Sequence, residues 1–128
     1  MKSIYFFLFA LLLNLSSCNE IESTKPKIVF LSKSIELGVV KSGQKYSGKM
    51  TIKNIGVDDL IIKSIKSGCR CTNISITSNI IKHNKEAVLH ITYVADSNAE
   101  NGKFIVPVVI RSNSEKILEE FYIHGTVN

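Results

Sequence analysis

Tyr46-Ser47-Gly48-Lys49-Met50-Thr51-Ile52-Lys53 alternates along its length. Tyr46, Met50 and Ile52 fall on one face, and Ser47, Lys49, Thr51 and Lys53 on the other. Successive side chains of an extended chain point to opposite faces, so a period of two marks a strand with one buried face. The same period recurs in both directions. Downstream, Ile74 and Ile76 alternate, Leu89, Ile91 and Tyr93 leave His90 and Thr92 outward, Phe104, Val106, Val108 and Ile110 point one way, and Phe121, Ile123, Gly125 and Val127 close the chain. Upstream, Ile28-Val29-Phe30 begins a first strand, and Ile35, Leu37 and Val39 form the inward set of the next. Leu60-Ile61-Ile62 with Ile65 is almost continuously apolar, which calls for burial on both faces or a bulge.

Turn chemistry separates these segments. Lys41-Ser42-Gly43-Gln44, Asn54-Ile55-Gly56 with Asp58-Asp59, the Asn-rich stretch from Asp96 to Gly102, and Ser112-Asn113-Ser114 carry turn residues, and Ser78 to Lys85 reads as a polar loop. No segment after residue 17 has a helical period. Short strands at this spacing describe an all-β chain folded as a β-sandwich of about seven strands. The Trp and the paired cysteines of antibody domains are absent. The chain has 128 residues, enough for one such domain.

The beginning of the chain has a different logic. Lys2 gives a positive tip, residues 4–13 are apolar and uncharged, and small residues precede Cys18. That order describes a signal peptide over residues 1–17, and the apolar run is too short for a spanning helix, which needs about 20 residues. Leu15-Ser16-Ser17-Cys18 resembles a bacterial lipobox, which implies cleavage before Cys18 and covalent lipid on it. Each buried methylene contributes about 0.8 kcal/mol, so two or more acyl chains (palmitate-type) hold a protein to a membrane where one is marginal. Residues 18–27 are polar and aperiodic and read as a flexible tether with a reach of roughly 30 Å. The expected location is the cell envelope, with the chain anchored through lipid. Asn19 follows the cysteine where an Asp would favour retention in the inner membrane, so the outer membrane is expected.

Net charge is +5, and Lys2 is the one charge in residues 1–17, so the remainder carries +4. Its lysines are scattered among acids, with no basic stripe interleaved with aromatics, and nucleic acid is not an expected partner. The sequence has no G-x-S-x-G, no phosphate-binding glycine loop and no H-E-x-x-H, and no enzyme is expected. Asp58-Asp59 and Glu119-Glu120 read as solvated turn and strand acids.

Several motifs in order carry a resemblance. Leu37-Gly38-Val39-Val40 with Gly43, Asn54-Ile55-Gly56 with Leu60-Ile61-Ile62, Ser67-Gly68-Cys69-Arg70-Cys71-Thr72, Gly102-Lys103-Phe104, Arg111-Ser112-Asn113 and Ile123-His124-Gly125-Thr126-Val127 follow the order of the bacterial domain of unknown function 1573. The resemblance covers about residues 35–128 and implies an immunoglobulin-like β-sandwich of the major-sperm-protein and Hydin type, common in envelope lipoproteins. It implies no activity. Arg70 stands where the family usually has Gly, and residues 80–85 replace its usual Pro-Gly turn.

Of the three cysteines, the lipobox assigns Cys18 to lipid and leaves Cys69 and Cys71 as a pair. On a straight strand their Cα atoms would lie about 6.6–6.8 Å apart, so a bridge between them needs a bend. Three readings stand: a structural pair, an exchangeable dithiol favoured by Arg70, or two thiolates gripping Cu(I) or zinc. Zinc would need two further ligands, and His83, His90 and His124 have no local ligand spacing. Beyond the lipid on Cys18 no cofactor is expected. The function expected is a non-catalytic binding or scaffold module for an envelope protein, gripped at a strand edge or on the surface, with thiol-redox or soft-metal binding as the alternative.

Overall fold

The computed structural model describes residues 23–96 and 98–128; the expected signal segment and Cys18 lie outside the described residues. The described chain forms strands β1 (Ile28–Phe30), β2 (Ser34–Val40), β3 (Lys45–Asn54), β4 (Leu60–Ser67), β5 (Thr72–Ile76), β6 (Ile80–Ile81), β7 (Glu86–Val94), β8 (Gly102–Ser112) and β9 (Leu118–Val127). They make a four-stranded sheet, β1-β3-β7-β5, and a five-stranded sheet, β2-β9-β8-β4-β6. The fold is the all-β, immunoglobulin-like sandwich that the alternation and the motif order implied. Among the described residues no helix is long and apolar enough to cross a membrane.

The inward sets pack as the period of two requires. Met50 and Ile52, Leu89, Ile91 and Tyr93, Val106, Val108 and Ile110, and Phe121, Ile123 and Val127 are all buried. Each such side chain contributes about 1.5–3 kcal/mol relative to exposure. Two aromatic contacts bridge the sheets: Phe30 lies 5.8 Å from Phe121, and Tyr93 stacks on Phe104 at 4.6 Å.

Three expectations need correction. The sandwich has nine strands among the described residues rather than about seven, and one of the extra strands, β6, lies in the stretch read as a polar loop. There Ile81 is buried opposite Leu60 of β4, while Ile80 is exposed, so two apolar residues suffice to seat a short edge strand. The ladder of β2 with β9 is parallel and shifts register between Glu36 and Val39, where Gly38 has a φ of 73°. That irregularity turns Val39 outward and Val40 inward, reversing the expected assignment. Of the two readings left open for the nearly continuous run in β4, the bulge holds: it falls between Ile62 and Ser64, with Ile61 outward.

The last residues of the expected tether are held by the domain. Thr24 O accepts from Asp58 N (2.8 Å), Pro26 O from Glu115 N (2.9 Å) and Lys27 O from Ile55 N (2.9 Å). These bonds gather the entering chain, the 54–59 loop and the 112–117 loop at one end of the sandwich, the entry end. Gly43 N donates to Ala95 O (2.8 Å), Val94 N to Cys71 O (2.9 Å) and Asn128 N to Val40 O (3.0 Å) at the opposite, far end. Strand β3 spans the two, from Lys45 beside Val94 to Asn54 beside Ile28.

Candidate functional site

The chain crosses from one sheet to the other between β4 and β5, and Cys69 and Cys71 sit in that crossing at the far end. Gly68 N donates to Pro107 O (2.8 Å), and the backbone then turns, with Thr72 N reaching Cys69 O (3.2 Å). The turn is the bend that a bridge needs. It brings the two Cα atoms to 5.1 Å, and the cysteines are joined as a disulfide. Both are half-buried against the core, while Arg70 between them is exposed and in no ion pair among the described residues.

The two sulfurs are not equivalent. Cys71 N donates to Cys69 Sγ (3.1 Å), and Cys69 N is held by Ser67 Oγ (3.1 Å). Cys71 Sγ has Thr72 Oγ1 at 3.7 Å. A backbone N–H aimed at a sulfur favours its thiolate form, so Cys69 is the better leaving sulfur of the pair. The bridge does little for the fold. In the chain-entropy picture a loop of sequence separation 2 is worth on the order of 1.5 kcal/mol, against about 4.7 kcal/mol for a 100-residue loop.

The histidines lie apart. His83 is tied at the entry end, where Nδ1 meets Gly56 O at 2.6 Å and Nε2 meets Asn84 Nδ2 at 3.1 Å. A carbonyl only accepts, so the bond to Gly56 O calls for a proton on His83 Nδ1. His90 is on the outer face of β7 opposite Lys49, and His124 is on β9 beside Tyr122. Among the described residues no three of His, Cys, Asp and Glu converge as a metal site would require. Burial raises the Tyr93 phenol above its ordinary range. A hydrogen bond from Tyr122 to Glu120, with the charge of that carboxylate, raises Tyr122.

Strand edges are the second element of the site. Of the four, β1 has three residues and β6 two, too short to pair with much. Strand β2 is longer but is interrupted by its register shift, and Glu36 Oε1 already takes Gly38 N (3.1 Å). These are the ordinary defences of an edge against unwanted pairing. Strand β5 has none of them. Thr72-Asn73-Ile74-Ser75-Ile76 contains no charge, no proline and no bulge, and pairs without a break from Thr72 opposite Tyr93 to Ile76 opposite Leu89. The flanking bonds, Val94 N to Cys71 O and Thr77 N to Val88 O (3.1 Å), set the alternation. Asn73 and Ser75 therefore bond to β7, and Ile74 and Ile76 direct their N–H and C=O groups along the open edge. The sequence held no signal for this, because edge status depends on which strands pair. The disulfide stands at the head of that edge.

A family profile described as Protein of unknown function (DUF1573) matches residues 28–127. No curated protein sequence matches. Among solved structures, a protein of unknown function from Porphyromonas gingivalis superposes with a TM-score of 0.69 at 12% identity, over 86% of this chain and 51% of that one. The chain thus spans about half the length of that protein. The ASH/PapD-like domain 7 of human CEP192 superposes with a TM-score of 0.67 at 13% identity, over 84% of this chain and 89% of that one. The secreted serine protease VesC of Vibrio cholerae is similar over 82% of this chain but only 23% of its own, with a TM-score of 0.57 and 16% identity. At these identities the likeness is one of fold.

Proposed function

The chain belongs to the DUF1573 family of proteins of unknown function, and from that premise we propose that it is a lipid-anchored envelope module that binds a partner protein by taking an extended segment of it onto β5. The observation that carries the reading is the undefended edge of β5 in a sandwich whose other edges are short or interrupted. An added strand gains main-chain hydrogen bonds along the edge and side-chain contacts at alternate positions. The module is non-catalytic in this reading. Its envelope address, outer membrane first, rests on the lipobox at Cys18, with the acyl chains on that residue as the membrane contact.

Ile74→Pro is the direct test. Its N–H points out along the edge, so proline removes a docking donor and leaves the β5–β7 ladder whole. The expected outcome is a folded variant that captures its partner from solubilised envelopes at least about fivefold less well than the wild type, the equivalent of one lost hydrogen bond. Equal capture by the two proteins, each shown folded by circular dichroism, refutes docking on this edge.

Anchoring has a separate check. Metabolic labelling with a palmitate analogue is expected to mark the wild type and not Cys18→Ser. Equal labelling of the two would remove the anchor from the proposal.

A further inference from the structure

We infer that the Cys69–Cys71 disulfide is a covalent clasp for the strand that docks on β5, and that the partner it fits is an extended polypeptide segment carrying a free cysteine thiol. The inference rests on the edge-binding reading above and assigns chemistry to its upper end. Cys71 immediately precedes β5, and its carbonyl makes the first rung of the β5–β7 ladder with Val94 N. A segment laid antiparallel or parallel along Thr72–Ile76 therefore runs past Cys71 within a residue or two of register.

The asymmetry of the bridge sets the direction of exchange. A partner thiolate attacks Cys71 Sγ, a new S–S bond forms between the partner and Cys71, and the Cys69–Cys71 bond breaks with its electron pair going to Cys69 Sγ. The partner thiol is oxidised, Cys69 is reduced to a thiolate, and no outside oxidant enters. Cys71 N, already 3.1 Å from Cys69 Sγ, is placed to stabilise that thiolate, and Arg70 puts an exposed cation in the same turn. Release reverses the step: Cys69 thiolate attacks Cys71 Sγ and returns the partner thiol. The low entropic value of so short a loop means that opening it leaves the sandwich folded. The half-exposed position of both cysteines admits a thiol from solvent.

The test uses the intact protein isolated from membranes and two thiols: glutathione, and a synthetic eight-residue peptide of β-branched residues with one central cysteine. Adducts are mapped by mass spectrometry after acid quenching. Adducts on Cys71, formed at least about tenfold faster with the peptide than with glutathione and losing that advantage in Ile74→Pro, support the clasp. Arg70→Ala is expected to slow both thiols by a similar factor. Adducts mainly on Cys69, or no adduct with either thiol, overturn it. If a cysteine-to-serine version of the peptide still binds wild type while no adduct forms, the exchange fails and edge docking stands. If Cys71 reacts with both thiols at one rate and Ile74→Pro changes nothing, the clasp and the docking that steers it both fail.

Discussion

Asn54→Ala is expected to lower the unfolding free energy by about 3–5 kcal/mol, beyond what most single substitutions do. Asn54 is fully buried, and its amide uses its whole hydrogen-bonding capacity. Nδ2 donates to Asp58 O (2.8 Å) and Ile81 O (2.9 Å). Oδ1 accepts from Lys27 N (3.2 Å) and Gly56 N (3.0 Å). One side chain thus joins the entering strand, the 54–59 loop and β6. Alanine strands two carbonyls and two N–H groups, at about 1–3 kcal/mol for each that water does not reach. Aspartate keeps the acceptor but sets a carboxylate against two carbonyls, so it is expected to be no better. Urea titration checks this: the midpoint should fall with the slope unchanged.

Gly56→Ala is expected to cost about 3 kcal/mol by a different route. A Cβ on Gly56 would run into the entering backbone at Lys25 O, with Pro26 Cα at 2.6 Å and Lys27 N at 2.7 Å. Backbone cannot swing aside as a side chain does, so the entering segment must lift and give up its bonds to the 54–59 loop. In a domain of this size such a loss lowers the melting temperature by roughly 12–20 °C. Hydrogen exchange should show β1 amides losing protection first. Gly56 N is itself a partner of Asn54 Oδ1, so the double variant should lose clearly less than the sum of the two singles. Additive losses would mean that the two residues act separately.

This knot marks the limit of what the sequence disclosed. Asn54-Ile55-Gly56 reads as a turn, and it is one, but its amide is legible as a core residue only once β6 and the entering chain are seen to converge on it. The long strands were legible because a sheet with one wet face separates Met50 and Ile52 from Lys49 and Thr51 in the sequence itself. Strand β6 was hidden by its two-residue length, and Val39 by a bulge that shifts the alternation by one residue. The parallel pairing of β2 with β9 is a choice of partner, and local pattern carries no partner information. At the candidate site, the cysteines and the need for a bend were readable from the spacing of Cys69 and Cys71. The N–H on Cys69 Sγ and the open edge beside the bridge were not, since both arise from how the chain crosses between sheets.

The placement of the chain's entry and of β5 on opposite margins of one sheet has a mechanical consequence. In the anchored reading, the tether holds β1 from the entry end while a partner pulls on β5 from its head at the far end, so the tension crosses β3 and β7 with a component along their length. Ladder hydrogen bonds lie across the strands, so a load along the strand axis is shared by every rung at once rather than opened one rung at a time. The β3–β7 ladder, unbroken from Lys45 opposite Val94 to Lys53 opposite Glu86, is the longest in that sheet and sits in the middle of the load path. The β5–β7 ladder, with five paired positions against nine in β3–β7, is then the weaker link of the two under such a load.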